Sequence, residues 1–222
     1  MVVLMVVLTI CLFLVVDFFV QRRRQEGFAA QPDHRPFPLS ATLRMMPAGI
    51  FLQRSFTWSR ILDDGNVVVG VQPFLMGLVG QPDRVEILPS GVDVKKGDVI
   101  ATLHKGAHTL HVRSPLDGMV NAINEEILEQ ATWNQLSQEW LLHFRPAHIG
   151  EEVPSWLIAE EATTWMRDQY RVVREYFTTQ LPGAELGVTM ADGGDIPVGI
   201  LDAFEEDVWK QFEADFCTPN NN

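Results

Sequence analysis

The stretch Ala101-Thr-Leu-His-Lys-Gly-Ala-His-Thr-Leu-His-Val-Arg-Ser-Pro-Leu-Asp-Gly118 decides how this chain folds. Two short apolar or β-branched runs, Val99 to Leu103 and Thr109 to Val112, flank Lys105-Gly106, where the glycine supplies the positive φ that a tight hairpin needs. The same rhythm continues outward. Val67 to Val71, Val85 to Leu88, Met119 to Ile123 and Trp140 to Phe144 are further short apolar runs, parted by Gly, Pro, Asp and Asn. Asp64-Gly65 is a second hairpin turn. Short strands at this spacing predict an all-β sandwich or barrel. A β domain of this length buries one core.

The order of the motifs resembles the glycine cleavage system H-protein family. Phe56-Thr-Trp-Ser-Arg60 is similar to that family's His-Glu-Trp-Val-Arg. Leu88-Pro89 with Gly91 is similar to its Leu-Pro-x-x-Gly, and Val94-Lys-Lys-Gly-Asp98 to its Val-Lys-Lys-Gly-Asp. Asn124-Glu-Glu-Ile-Leu128, Trp140-Leu141 and Ala159-Glu-Glu-Ala162 follow in family order, so the resemblance spans roughly residues 54 to 166. It implies a mainly β, lipoyl-like sandwich (a barrel-sandwich hybrid) with C-terminal helices. It also implies a carrier whose lipoyl arm is attached to a lysine at a hairpin tip. The family leaves six residues between that lysine and its Ser-Pro; counting back from Ser114-Pro115, or forward from Thr102, places Ala107 there. The arm-bearing position is thus expected to hold a methyl group, with no cofactor.

Lys105 is the one lysine in the hairpin, two positions before Ala107. A shifted lipoyl carrier using Lys105 is therefore the first alternative, but His104-Lys105-Gly106 matches the attachment context in neither neighbours nor register. The second alternative is a metal or haem electron-transfer subunit using His104, His108 and His111, since imidazoles are common ligands. No thiol or carboxylate lies close in sequence. Strand alternation lets His104 and His108 face each other across the hairpin while His111 points to the other face, so a weakly polar solvent face is favoured over a metal site. No nucleophile-base-acid set, His-Glu-x-x-His or phosphate-cradling loop occurs, and nothing points to independent catalysis.

Outside the β region the chain divides into residues 1–24, 25–53 and 182–222, with 54–181 as the H-protein-like domain. Val2 to Val20 is apolar apart from Thr9 and Asp17, and Arg22-Arg23-Arg24 follow. Nineteen helical residues span about 28 Å, enough for the hydrocarbon core. With no charge before it and bulky Phe18, Phe19 and Val20 at its end, the segment is expected to be an uncleaved anchor, not a signal peptide. The three arginines then hold residues 25 to 222 in the cytoplasm, with the N-terminus outside a bacterial-type inner membrane. Asp17, about one turn from the interface, is read as reaching headgroups or the arginines in preference to an intramembrane functional carboxylate. Residues 25–53 carry Pro32, Pro36, Pro38 and Pro47 and are expected to be an extended tether.

Glu160 to Leu181 is predicted helical, with Ala162, Met166, Tyr170, Val173 and Phe177 on one stripe and Pro182-Gly183 ending it. Gly187 to Gly199, with Asp192-Gly-Gly-Asp195, is expected to be a flexible connection in preference to a metal or phosphate site. Asp202 with Glu205 has the form of a capping box opening a helix to Phe216. Leu201, Phe204, Val208, Trp209, Phe212 and Phe216 form its apolar stripe while its acids face away. That stripe must bury against its own domain or dock on a partner, and Phe204, Val208, Trp209, Phe212 and Phe216 are assigned as partner-docking residues. The net charge is −12, and residues 182–222 hold nine acids against one lysine. Such a balance disfavours nucleic acid. The two cysteines, Cys11 and Cys217, imply no disulfide framework. Together these features predict a non-catalytic, membrane-anchored accessory or scaffold subunit of a larger membrane complex. A respiratory or photosynthetic electron-transfer assembly is suggested by the topology alone.

Overall fold

The computed structural model describes residues 39–44, 49–125, 127, 139–181, 190 and 193–218, all within one unit, Phe37–Asn222. The span 2–20, Asp17, the arginines 22–24 and the helix stop at 182–183 lie outside these residues. Among the described residues no helix is long and apolar enough to cross a membrane.

The strands are β1 (Phe51–Leu52), β2 (Thr57–Ile61), β3 (Val67–Val71), β4 (Arg84–Ile87), β5 (Asp93–Val94), β6 (Val99–Lys105), β7 (His108–Arg113), β8 (Gly118–Ile123) and β9 (Leu142–Pro146). They form a six-stranded sheet, β1-β2-β3-β9-β8-β5, and a three-stranded sheet, β4-β6-β7, with all described pairings antiparallel. The fold is mainly β with helices following the strands, as the sequence predicts. Val67, Val69, Val120 and Phe144 of the larger sheet and Leu103, Leu110 and Val112 of the smaller belong to one buried core. Every residue of β3 is buried, because it lies between β2 and β9 and both of its faces are covered.

Helix α1 (Pro73–Val79) carries no helical periodicity in the sequence, since six of its seven residues are buried and it shows no polar face. Its start is written locally: Pro73 sits in the first turn and the Gln72 side chain accepts from the Phe74 N–H. After the four-residue turn α2 (Ile149–Glu152), helix α3 (Ala159–Gln180) agrees with its predicted stripe. Ala162, Met166, Val173 and Phe177 are buried on it, and Tyr170 packs at the edge of the core.

Three readings need correction. The tether placed at residues 25–53 is not extended throughout. Leu39–Arg44 forms a 3-10 helix with Leu39 fully buried against Gly77, and Phe51–Leu52 is β1. The described end of the connection, residues 193–199, is built into the domain. Asp195 accepts from the Ser40 N–H and, at 2.8 Å, from its hydroxyl, and it accepts the Tyr170 hydroxyl and the Ile196 N–H. Burial, followed by the bond to Asp195, raises the Tyr170 phenol to about 12. Finally, Asp202 does not open the C-terminal helix. It lies in a 3-10 turn, Ile200–Ala203, Phe204 is extended, and Glu205 is the N-cap of α4 (Glu206–Phe212), which continues as a π turn, Glu213–Cys217. The extended Phe204 lets the apolar stripe wrap two surfaces instead of following one helix.

Candidate functional site

The hairpin closes in two residues. Lys105 pairs with His108 across it, and the turn residues are Gly106, at φ 57, and Ala107, whose methyl is exposed at the apex. Behind the strands, Gly97 at φ 90 lets its N–H donate to the Ser114 carbonyl at 2.8 Å. The Ser114 N–H donates to the Asp98 carbonyl at 2.8 Å, and its hydroxyl to the Leu116 carbonyl at 2.7 Å. Asp98 in turn accepts from the Lys95 N–H at 2.8 Å. The Lys-Lys-Gly-Asp and Ser-Pro segments thus brace each other, holding the exit of the hairpin. Gly118 is needed for close approach: a Cβ there would stand 2.5 Å from the Arg145 carbonyl oxygen.

Lys105 does not project from this turn. Its Nζ donates to the Gln81 carbonyl at 2.6 Å and lies 3.5 Å from Asp202, leaving the side chain 21% exposed. Asp83, unmarked in the sequence, accepts the Gly106 N–H at 2.6 Å, and its own N–H donates to the His104 carbonyl at 2.8 Å. The apex is therefore tied to Gln81–Asp83 and to Asp202, and Gln81 and Asp202 meet at the Lys105 ammonium.

The observed register corrects the expected meeting of His104 and His108. His104 pairs with Thr109 and His108 with Lys105, so the two imidazoles lie on opposite faces, and His111 shares the face of His104. Each reaches a different carboxylate. His104 Nε2 stands 3.4 Å from Glu86 without a hydrogen bond, His108 Nδ1 bonds Glu206 at 2.7 Å, and His111 Nδ1 bonds Glu213 at 2.9 Å. The three offer no shared coordination point, and among the described residues no group of three potential ligands gathers.

Those carboxylates also correct the acids that were expected to face away. Glu213 accepts the His111 backbone N–H at 3.0 Å and Arg113 Nη2 at 3.1 Å, so α4 and its π turn seal the outer edge of β7. Covering an edge strand removes its unpaired backbone groups from other strands. The hydrogen bond with His108, and next that with Lys210, holds the Glu206 carboxyl below the usual glutamate value. Trp209 stacks on His108 with ring centroids 5.2 Å apart and donates to the Leu201 carbonyl at 2.9 Å. Phe212 stacks on Phe177 and Phe216, and Phe204 on Phe177. Leu201, Trp209 and Phe212 are fully buried and Phe204 nearly so, while Val208 and Phe216 are partly buried. The surface assigned to a partner is largely occupied by the chain's own sheet and α3. Beyond it Cys217 is buried, which pushes its thiol well above the ordinary range.

A family model described as glycine cleavage H-protein matches residues 51–169. A probable glycine cleavage system H protein of Thermococcus gammatolerans is 27% identical over 118 residues, covering 50% of this chain and 85% of that protein. The glycine cleavage system H protein of Methylococcus capsulatus is 32% identical over 108 residues, covering 48% and 85%. A crystal structure of a Mycobacterium marinum glycine cleavage system H protein aligns with a TM-score of 0.48 at 18% identity, covering 54% of this chain and 98% of that one. The chain belongs to the glycine cleavage H-protein family.

Proposed function

We propose, with membership of that lipoyl-carrier family as the premise, that this chain keeps the carrier's fold without its arm. It serves as a non-catalytic accessory or scaffold subunit. The observation that carries this reading is the apex itself, where an exposed methyl, Ala107, stands and the nearest lysine is bound down by Gln81 and Asp202. A lipoyl group does not fit these residues. Its amide needs a free amine on a flexible side chain, and the apex presents none.

The partners in this reading are other subunits of a membrane complex, reached from a single span over about Val2 to Val20 with Arg22, Arg23 and Arg24 on the cytoplasmic side. Two measurements test it. Intact mass of the chain co-produced with a lipoate-attachment enzyme should show no adduct, whereas Ala107→Lys should acquire one; a lipoyl adduct on native Lys105 overturns the reading. Protease added to sealed right-side-out membranes should leave residues 25–222 intact, and their cleavage reverses the orientation.

A further inference from the structure

Among the described residues the outer edge of β4 is both longer than two residues and open. The far edge of β7 is bonded where Glu213 accepts the His111 N–H, that of β1 is paired with Leu157, and β5 is only two residues long. β4 has a neighbour on one side alone, β6. The Leu88 N–H donates to the Ile100 carbonyl at 3.0 Å, in the register that pairs Glu86 with Thr102 and Arg84 with His104. Antiparallel strands bond through every second residue. Leu88, Glu86 and Arg84 therefore aim their backbone groups at β6, while Val85 and Ile87 aim theirs away from it. Among the described residues nothing bonds those outward groups. The Val85 and Ile87 side chains are partly buried, and Arg84 and Glu86 alternate with them on the exposed face.

We propose that this edge pairs with the β4 edge of a second copy of the chain, antiparallel about a two-fold axis at Val85, joining the two small sheets into one. In that register each Val85 N–H bonds the Val85 carbonyl of the other copy. Arg84 then stands directly opposite Glu86 of the other copy, at the position where facing side chains come closest. Moving the axis to Glu86 keeps the outward groups in phase but sets two carboxylates against each other, and moving it to Arg84 does the same with two guanidinium groups. Like charges directly opposite are unfavourable, so the charges select the Val85 register.

Charged side chains on an edge strand deter chance pairing with other chains. In Arg84-Val85-Glu86 opposite signs lie at equal distance from Val85, so a copy of the same strand is what these charges admit. Within one copy Arg84 and Glu86 already pair along the strand, with both side chains largely exposed, and the second copy gives each a further partner. The edge is bounded by Asp83, whose N–H turns inward to the His104 carbonyl, and by Pro89. The contact is thus short and of the weak, transient class. It uses neither Ala107 nor the span at Val2 to Val20, so it fails or holds independently of the armless, membrane-anchored reading.

Sedimentation equilibrium of the full chain in mild detergent, at low ionic strength and over a wide concentration range, measures the association. The native chain should form dimers. Val85→Pro removes the central N–H at an edge position where proline is tolerated, and should abolish them while the circular dichroism spectrum stays native. Arg84→Glu alone, or Glu86→Arg alone, sets like charges opposite at both symmetry-related positions and should raise the dimer Kd by about tenfold. Mixing these two variants puts opposite signs back at every facing pair and should recover the native affinity, which a general loss of folding would not do. A native chain that stays monomeric overturns the proposal. So does an association, through the span or another face, that Val85→Pro and the single swaps leave unchanged, and so does a mixture that associates no better than its parts.

Discussion

The β2–β3 hairpin turns on Gly65 at φ 82 and closes with bonds among its own residues. The Leu62 N–H donates to the Asn66 carbonyl at 2.8 Å, and Asp64 accepts both the Asn66 N–H and its side-chain amide. The β6–β7 hairpin also turns on one positive-φ glycine, yet its tip is held by Gln81, Asp83, Asp202 and Glu206, up to 98 residues away in sequence. One turn is specified by its neighbours and the other by tertiary structure. The contrast teaches that a hairpin's role is set less by its turn than by what is built beside it. It also predicts that the two tips respond differently when the rest of the molecule is disturbed.

The largest expected effect comes from removing the residue that seats α4 on the sheet. Trp209 is buried against His108 and donates to Leu201, so Trp209→Ala should cost about 3–5 kcal/mol in chemical denaturation. Native-state hydrogen exchange should then speed at the His111 amide, which bonds Glu213, and not at the Leu62 amide. Equal acceleration at both amides would break the comparison. The backbone contribution, in contrast, should be shared. Gly65→Ala and Gly106→Ala each place a Cβ at positive φ with nothing within 4 Å to clash, so both should lose about 1–2 kcal/mol from strain alone. A smaller difference should appear in the side chains. Lys105→Met removes the bond to Gln81 and should cost about 1 kcal/mol, while Asp63→Ala should stay within about 0.5 kcal/mol. Denaturant midpoints of the four variants measure all of this.

The same distinction explains what was legible in the sequence. Asp64-Gly65 could be placed in a turn because the reasons lie within five residues, and the strands were found because apolar runs and turn residues alternate locally. The α3 stripe was found for the same reason, as its burial repeats with the helical period. The spacing puts Ala107 near the hairpin tip, and the two-residue turn holds it there. Asp83 carried no local signal, since its carboxylate acts on Gly106 across two strands. The C-terminal stripe was recognised as apolar, but its destination was not, because whether Trp209 meets its own sheet or a partner depends on pairings about a hundred residues apart. The acids look solvated from the sequence for the same reason: a helix wheel shows which side Glu206 and Glu213 occupy, and not that histidines of β7 lie there. Asp202-x-x-Glu205 has the composition of a capping box, but the break at Phe204 moved the cap to Glu205.

The smallest effect is a pair of acid titrations, one on each tip. The Asn66 N–H holds the Asp64 carboxyl below its usual 3.8, and His108 followed by Lys210 holds Glu206 below 4.5. A carboxyl whose folded value is depressed adds stability that is fully present above the unfolded value and disappears as pH falls through the folded one. Both tips should therefore weaken on acidification, Glu206 beginning just below 4.5 and Asp64 just below 3.8. Their causes differ, however. His108→Ala removes the largest influence on Glu206 and should flatten the Glu206 contribution to the acid fall in melting temperature, leaving the Asp64 contribution in place. Asp64→Asn should do the reverse. Both side chains are open to solvent, so salt screens these contributions and the measurement belongs at low ionic strength. If the changes made by His108→Ala and by Asp64→Asn fail to add in the double variant, the two tips are coupled, and the division between a locally built hairpin and a tertiary one does not hold.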